Sequence, residues 1–418
     1  MTSLSVFLDI PKTPKEIEKL QEEAFLTDTD DRKVILQRRD VPLCCTELVS
    51  DDGQPWVPPP VRRVYLQIIS DPTRNYEPQP ITGSTEFIRG VTELALGKNS
   101  KAILENRASG IQTVGSTGAF RVGAEFLRRW YNINGKVSAC IPLPAYDWYL
   151  RTFEAAGVTD ICPYRFWDSK NMSLALPEML EDLQNSPDFS VVVLPTSCNP
   201  TGIQLANSEW KQIADIMKKK NMFPFFHLAA QGLASGDLEA DAWPLRYFVS
   251  EDFELFCAQS FSANFGLYGE SVGNLLIVLR NNEVVIRVRS QLEALVQGKW
   301  STPPAIGSRV VATVLNNPTL YAEWKDSLKT AVIRLLIIRE KMRERMRLLG
   351  TLRSWEHITK QGGLFAITGL TSDQVDFLAK KKHVYLCING QINISGLNAT
   401  NLNYVTQSIN DVILKGMT

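Results

Sequence analysis

Three short stretches of this 418-residue chain carry residue types whose spacing could do chemistry. Gly115-Ser116-Thr117-Gly118-Ala119 opens a helix-like segment. Its small residues let backbone N–H groups converge, its hydroxyls add donors, and a helix N-terminus favours an anion, so the stretch can cradle a phosphate. The same residues serve equally as a plain helix cap. Asn199-Pro200-Thr201-Gly202 has tight-turn chemistry. Following a buried strand, it can aim the Asn199 amide into a ligand site or be a turn and nothing more. The third stretch, Gln259 to Leu275, follows another apolar run and carries Ser260 and Ser262; by itself it reads as a polar loop.

These stretches sit at the ends of a regular alternation of elements. Apolar runs at Val137–Ile141, Ile161–Phe166, Ser190–Leu194, Phe223–Leu228, Phe253–Ala258 and Asn274–Leu279 read as strands. Helix-like segments at Ala119–Tyr131, Trp148–Ala156, Ser208–Lys220 and Asp241–Val249 lie between most of them. Continuous apolar strands separated by helices predict a mostly parallel sheet covered on both faces. Ligands of such sheets bind beyond the carboxyl ends of the strands, where the three stretches fall. After about residue 318 the rhythm changes. Leu320–Leu349 predicts one long helix or a bent pair. Short strands near Phe365–Ile367, Val384–Cys387 and Ile392–Ser395 follow, with helices at Ser372–Lys381 and Ala399–Ile413. This predicts a small α+β domain. At the other end, Pro11 and Pro14 predict an extended arm over residues 1–14, with a charged helix near residues 15–23.

Bulk properties exclude several classes. With 45 basic and 45 acidic residues the formal net charge is zero, so neither nucleic acid nor an anionic membrane is an expected partner. No apolar run reaches membrane-spanning length, and the N-terminus lacks the pattern of a secretory signal, so a cytoplasmic location is expected. The seven cysteines are scattered without a C-x-x-C pair and read as reduced thiols. No cysteine lies at metal-ligand spacing from His227, His357 or His383, so no metal is expected.

Longer stretches carry a family resemblance. They are Asp52–Trp56 (D-G-Q-P-W), Gly123–Asn132 (G-A-E-F-L-R-R-W-Y-N), Glu209–Ala214 (E-W-K-Q-I-A), Arg246–Glu251 (R-Y-F-V-S-E), Phe253–Ser262 (F-E-L-F-C-A-Q-S-F-S) and Ala322–Asp326 (A-E-W-K-D). Over nearly its whole length the chain resembles the aspartate aminotransferases of the animal cytosolic type, or a diverged paralogue of them. The resemblance implies the α/β fold type I of pyridoxal-phosphate (PLP) dependent transferases. It has a large, mixed, mostly parallel sheet domain (58–330) and a small α+β domain made from residues 15–57 and 331–418. It also implies a homodimer with sites at the subunit boundary, and the transamination of aspartate with 2-oxoglutarate.

That chemistry makes demands which the aligned residues do not meet. The lysine that holds the cofactor as a Schiff base and shuttles the proton falls at Ala263, and a methyl group can do neither. The acid that keeps the pyridine nitrogen protonated falls at His227, which can hydrogen-bond the nitrogen but brings no negative charge. The tyrosine that bonds the cofactor's phenolic oxygen falls at Ala230. The two substrate-clamping arginines fall at Gln391 and Gln297, the latter reaching in from the other subunit. The phosphate-binding arginine falls at Ser271 and the neighbouring subunit's phosphate-binding tyrosine at Pro78; a substrate-domain glycine falls at Thr46. Ser116, Thr117, Asn199 and Ser260 remain as cofactor contacts, with Tyr146 in place of the ring-stacking tryptophan. Each charge-assisted hydrogen bond lost is worth roughly 1.5–3 kcal/mol, and losing a positioned acid or base costs about a hundredfold in rate. The expectation is an impaired or inactive family member that binds PLP weakly, without a covalent bond, or not at all. Residual PLP-dependent turnover through another lysine, and a non-catalytic role as heterodimer partner of an active paralogue, are the alternatives.

Overall fold

The computed structural model describes residues 34–35, 47–131, 136–144, 147–197, 200–351 and 353–415. The expected arm (1–14), the helix near 15–23, and Thr46, Tyr146 and Asn199 lie outside these residues.

Seven strands make the main sheet: β1 (Ala108–Val114), β2 (Ser138–Leu143), β3 (Asp160–Arg165), β4 (Val191–Pro195), β5 (Phe223–Leu228), β6 (Leu255–Ser260) and β7 (Val272–Val278). Their spatial order is β1-β7-β6-β5-β4-β2-β3. The pairs β2–β3, β2–β4, β4–β5 and β5–β6 are parallel, and β7 runs antiparallel to both β6 and β1. The sheet is therefore the expected mixed, mostly parallel one. Six strands lie within a few residues of the apolar runs; β1 was not among them, because Gly110, Gln112 and Thr113 interrupt its apolar character.

The pleat sends alternate residues into two cores. Along β5, Phe225 joins Phe120, Phe153 and Phe256 on one face, and Phe226 joins Trp210, Phe248 and Cys257 on the other. The first face is covered by α3 (Gly115–Trp130), α4 (Asp147–Ala155) and α9 (Asn282–Trp300). α5 (Leu176–Asn185), α6 (Asn207–Lys219) and α7 (Leu238–Ser250) cover the second. α3 lies so close to the sheet that a Cβ on Gly123 would stand 2.5 Å from the Phe225 ring.

A third core joins α1 (Pro59–Ile69), α2 (Thr85–Leu96), the four-residue α8 (Ser262–Phe265), α10 (Ile306–Asn316) and α11 (Pro318–Leu348) to the C-terminal elements. α11 is one continuous helix of 31 residues. Pro318 starts it, the Asn317 side chain caps it, and Trp324, Leu328, Leu335, Met342 and Met346 recur along its buried stripe. Beyond it, β8 (Phe365–Ile367) pairs antiparallel with β9 (Gln391–Asn393), beside α12 (Ser372–Lys382) and α13 (Leu402–Lys415). Among the described residues no helix is long and apolar enough to cross a membrane.

One close approach ties α3 to the sheet. The Gly115 N–H donates to the Ser271 carbonyl over 2.5 Å, and a Cβ on Gly273 would stand 2.3 Å from the carbonyl carbon of Gly115. Backbone cannot yield as a flexible side chain does, so Gly273→Ala should reach the upper part of the 1–3 kcal/mol range for overpacking. Urea unfolding of the variant checks this; unchanged stability would show that the two segments can part freely.

Candidate functional site

The carboxyl ends of β4, β5 and β6 finish side by side: Pro195 is the register partner of His227, and His227 of Ala258. The Thr196 N–H donates to the His227 carbonyl at 3.1 Å, extending the pairing one residue past β4. At the end of β6, Ser260 pairs with Gly273 on β7. Gly273 is also the residue against which the first turn of α3 is packed. Ser116, Thr117, Ser260 and Ser271 thus converge around one helix N-terminus.

That terminus suits an anion. Val114 precedes α3 and offers no side-chain cap, so the first turn takes no hydrogen bond from the residue that would normally supply one. Gly115 has φ +63, a left-handed conformation that most side chains avoid, which lets the backbone turn directly from β1 into the helix. Ser116 is half-buried and Thr117 exposed. Ser271 is itself left-handed, φ +47, with its carbonyl committed to Gly115. The region offers hydroxyls and backbone N–H groups to a ligand.

The stretch after β6 differs from the polar loop expected. Ser262–Phe265 forms a helical turn, and Ala263, Asn264 and Phe265 are buried. Phe265 stacks on Trp324 with ring centroids 4.6 Å apart, the Trp324 indole N–H donates to the Asn264 carbonyl at 2.8 Å, and the Asn264 amide donates to the Gln231 carbonyl at 3.1 Å. Serine and asparagine gave the segment a polar look, but α11 closes over it. Ala263 packs within this third core.

His227 is buried at the end of β5. Its Nδ1 lies 2.5 Å from the Tyr149 hydroxyl, and the rings of Phe120, Trp148 and Tyr149 surround it at centroid distances of 5.2, 5.5 and 5.6 Å. Among the described residues its buried Nε2 has no hydrogen-bond partner. Burial among aromatic rings holds the imidazole neutral, pushing its pKa down to about 3. When the Tyr149 hydroxyl donates to Nδ1, Nε2 carries the ring proton and is a donor awaiting an acceptor. Trp148 and Tyr149 were not singled out in the sequence, where they are only the start of a helix-like segment.

The remaining positions lie further out. Ala230 stands in the turn after β5, where its carbonyl accepts the Leu233 N–H. Gln391 is buried in β9, opposite Ile367 of β8. The segment leading into β8 leans on the turn after β4, where the Gly362 N–H donates to the Gly202 carbonyl at 2.6 Å. Arg339 of α11 fastens that segment: it is buried and donates to the carbonyls of Ile358, Gly362, Gly363 and Phe365 at 2.8, 3.1, 2.9 and 2.7 Å. Burial lowers its pKa to about 9, well above neutrality, so it stays charged and grips backbone. Sequence reading missed it, since one arginine among many on a long helix gives no signal. Gln297 and Pro78 are both exposed on this chain.

Residues 40–409 match the family described as aminotransferase class I and II. This chain belongs to that family. It is 46% identical to "Aspartate aminotransferase, cytoplasmic" of Gallus gallus, over 98% of this chain and 99% of the relative. It is 41% identical to "Putative aspartate aminotransferase, cytoplasmic 2" of Homo sapiens, over 99% of this chain and 95% of that one. Among solved structures it superposes with a TM-score of 0.91 on the aromatic-amino-acid aminotransferase of Burkholderia pseudomallei covalently bound to pyridoxal phosphate. That match is 32% identical and covers 98% of this chain and 100% of the other. A neutral buried imidazole has a measurable consequence. Its unfolded value is near 6.5 and its folded value about 3, so the unfolded chain binds the proton first. The stability due to neutral His227 is complete above pH 6.5 and falls as pH drops toward 3, by up to roughly 1.4 kcal/mol per pH unit. Unfolding measured from pH 7 to 4 should flatten in His227→Phe; an equal slope in both proteins would contradict the burial argument.

Proposed function

We propose that this aminotransferase-family chain is a non-catalytic member with respect to aspartate, a protein that holds pyridoxal phosphate loosely and without a covalent bond. The observation that carries the reading is Ala263 packed in an apolar core where the family's chemistry needs an amine. What supports cofactor residence is a partial fit. The uncapped first turn of α3 with Ser116, Thr117 and Ser260 suits a phosphate. The unpartnered Nε2 of His227 suits a neutral pyridine nitrogen. What does not fit is covalent attachment, since Ala263 offers no nitrogen. When bound, pyridoxal phosphate supplies an electron sink for bonds at an amino acid's α-carbon. His227, neutral and acceptor-starved, hydrogen-bonds the ring nitrogen but does not hold it protonated, so that sink stays shallow. Gln391 and Gln297 bring no charge to substrate carboxylates, and the methyl group of Ala263 carries no proton.

The same reading covers assembly and location. A homodimer in the cytoplasm follows from family likeness, and exposed Gln297 and Pro78 suit positions that reach across a subunit boundary. In a heterodimer with an active paralogue, these two residues face the partner's site and impair it. Co-expression with such a paralogue should lower activity per active subunit; unchanged activity in isolated heterodimers overturns that part of the reading.

Steady-state assays with aspartate and 2-oxoglutarate test the main claim, with background turnover expected for the natural chain. Ala263→Lys should improve cofactor retention at most partly and still leave turnover at least a hundredfold below that of an active relative, because the arginines and acid are also gone. Near-normal turnover in that single variant would overturn the reading.

A further inference from the structure

Two cysteines that are 22 positions apart in sequence meet in the fold. Cys140 on β2 and Cys162 on β3 are register partners in neighbouring parallel strands. Residues in register point to the same face, and both side chains enter the core beneath α5 and α6, while Ala139, Ile141 and Ile161 enter the other. Adjacent strands lie about 4.8 Å apart, inside the roughly 4.4–6.8 Å Cα separation that a disulfide spans. The two thiols are thus side-by-side neighbours on one face of the sheet.

Their surroundings are unequal. Cys140 is fully buried. Cys162 is only half-buried and sits on the edge strand, since β3 is last in the sheet order. The neighbouring Cys140 thiol, aided by the Lys136 ammonium, lowers the Cys162 thiol's pKa despite partial burial and the nearby Asp160 carboxylate. Lys136 is itself paired with Asp160 at 3.2 Å. One thiol is thus reachable and readily ionised, and the other waits behind it. β3 is paired on one side only, so it can shift slightly to let the sulfurs close to bonding distance.

We propose that Cys140 and Cys162 are an oxidisable dithiol that closes to a disulfide when the protein meets a peroxide. The Cys162 thiolate attacks one peroxide oxygen; an S–O bond forms, the O–O bond breaks, and hydroxide leaves. Sulfur is oxidised to the sulfenic acid and the peroxide is reduced. The Cys140 sulfur then attacks Cys162; the S–S bond forms, the S–O bond breaks, and the departing hydroxide takes the Cys140 proton as water. Two thiols and one hydrogen peroxide give one disulfide and two waters. The disulfide pins the edge strand to β2, whose chain continues toward Trp148 and Tyr149 beside His227.

The test is peroxide titration of the full chain, alkylation, and peptide mapping without reduction. A peptide joining Cys140 to Cys162 is expected, absent from untreated protein and lost again on adding dithiothreitol. Cys140→Ser should leave Cys162 trapped by dimedone as its sulfenic acid, and Cys162→Ser should abolish the joined peptide. Circular dichroism shows whether each variant is folded; if the serine variants unfold, the wild-type map decides alone. Two results overturn the proposal: both cysteines still fully alkylatable after peroxide in folded protein, or Cys162 driven to the sulfinic acid with Cys140 still a thiol.

Discussion

The site is governed by the difference between a charge and a dipole in a buried place. An imidazole enclosed by Phe120, Trp148 and Tyr149 cannot hold a proton near neutral pH. A carboxylate there would favour a protonated ring nitrogen in a bound cofactor; on the proposed reading His227 would offer only a hydrogen bond. The other positions follow the same pattern, since Ser271, Gln297 and Gln391 can each donate or accept but bring no charge. On the proposed reading, the lack of charge at several positions weakens the site more than any one change would.

Much of the scaffold is independent of that electrostatic loss. The approach of Gly273 to Gly115, the stacking of Phe265 on Trp324 and the grip of Arg339 on four carbonyls are backbone and packing contacts. They keep α3 over the strand ends and the small β8–β9 sheet against the turn after β4. Such contacts do not depend on the side chains at the strand ends, so membership of the family does not by itself carry the activity.

The parallel strands were legible because their apolar runs are continuous and their helices have clear periodicity. β1 was not, because its burial of Gln112 depends on a distant partner: the side-chain amide donates to the Pro304 carbonyl at 2.7 Å. Local pattern cannot announce a contact 192 residues away. The helical turn around Ala263 was misread for a related reason, since only α11 makes that polar stretch a buried one. His227 was expected at the end of an apolar strand and lies there, but its partner Tyr149 carries no spacing signal. The Cys140–Cys162 pair was equally silent, because strand register and not sequence distance brings the sulfurs together.

The central claim is that no lysine serves this site. The most direct measurement is borohydride reduction of the protein saturated with pyridoxal phosphate, followed by mass mapping of every lysine. Only scattered, substoichiometric pyridoxyl labels are expected, with the bulk of the cofactor released on desalting before reduction. One lysine labelled close to stoichiometrically, and still labelled when desalting precedes reduction, would contradict it.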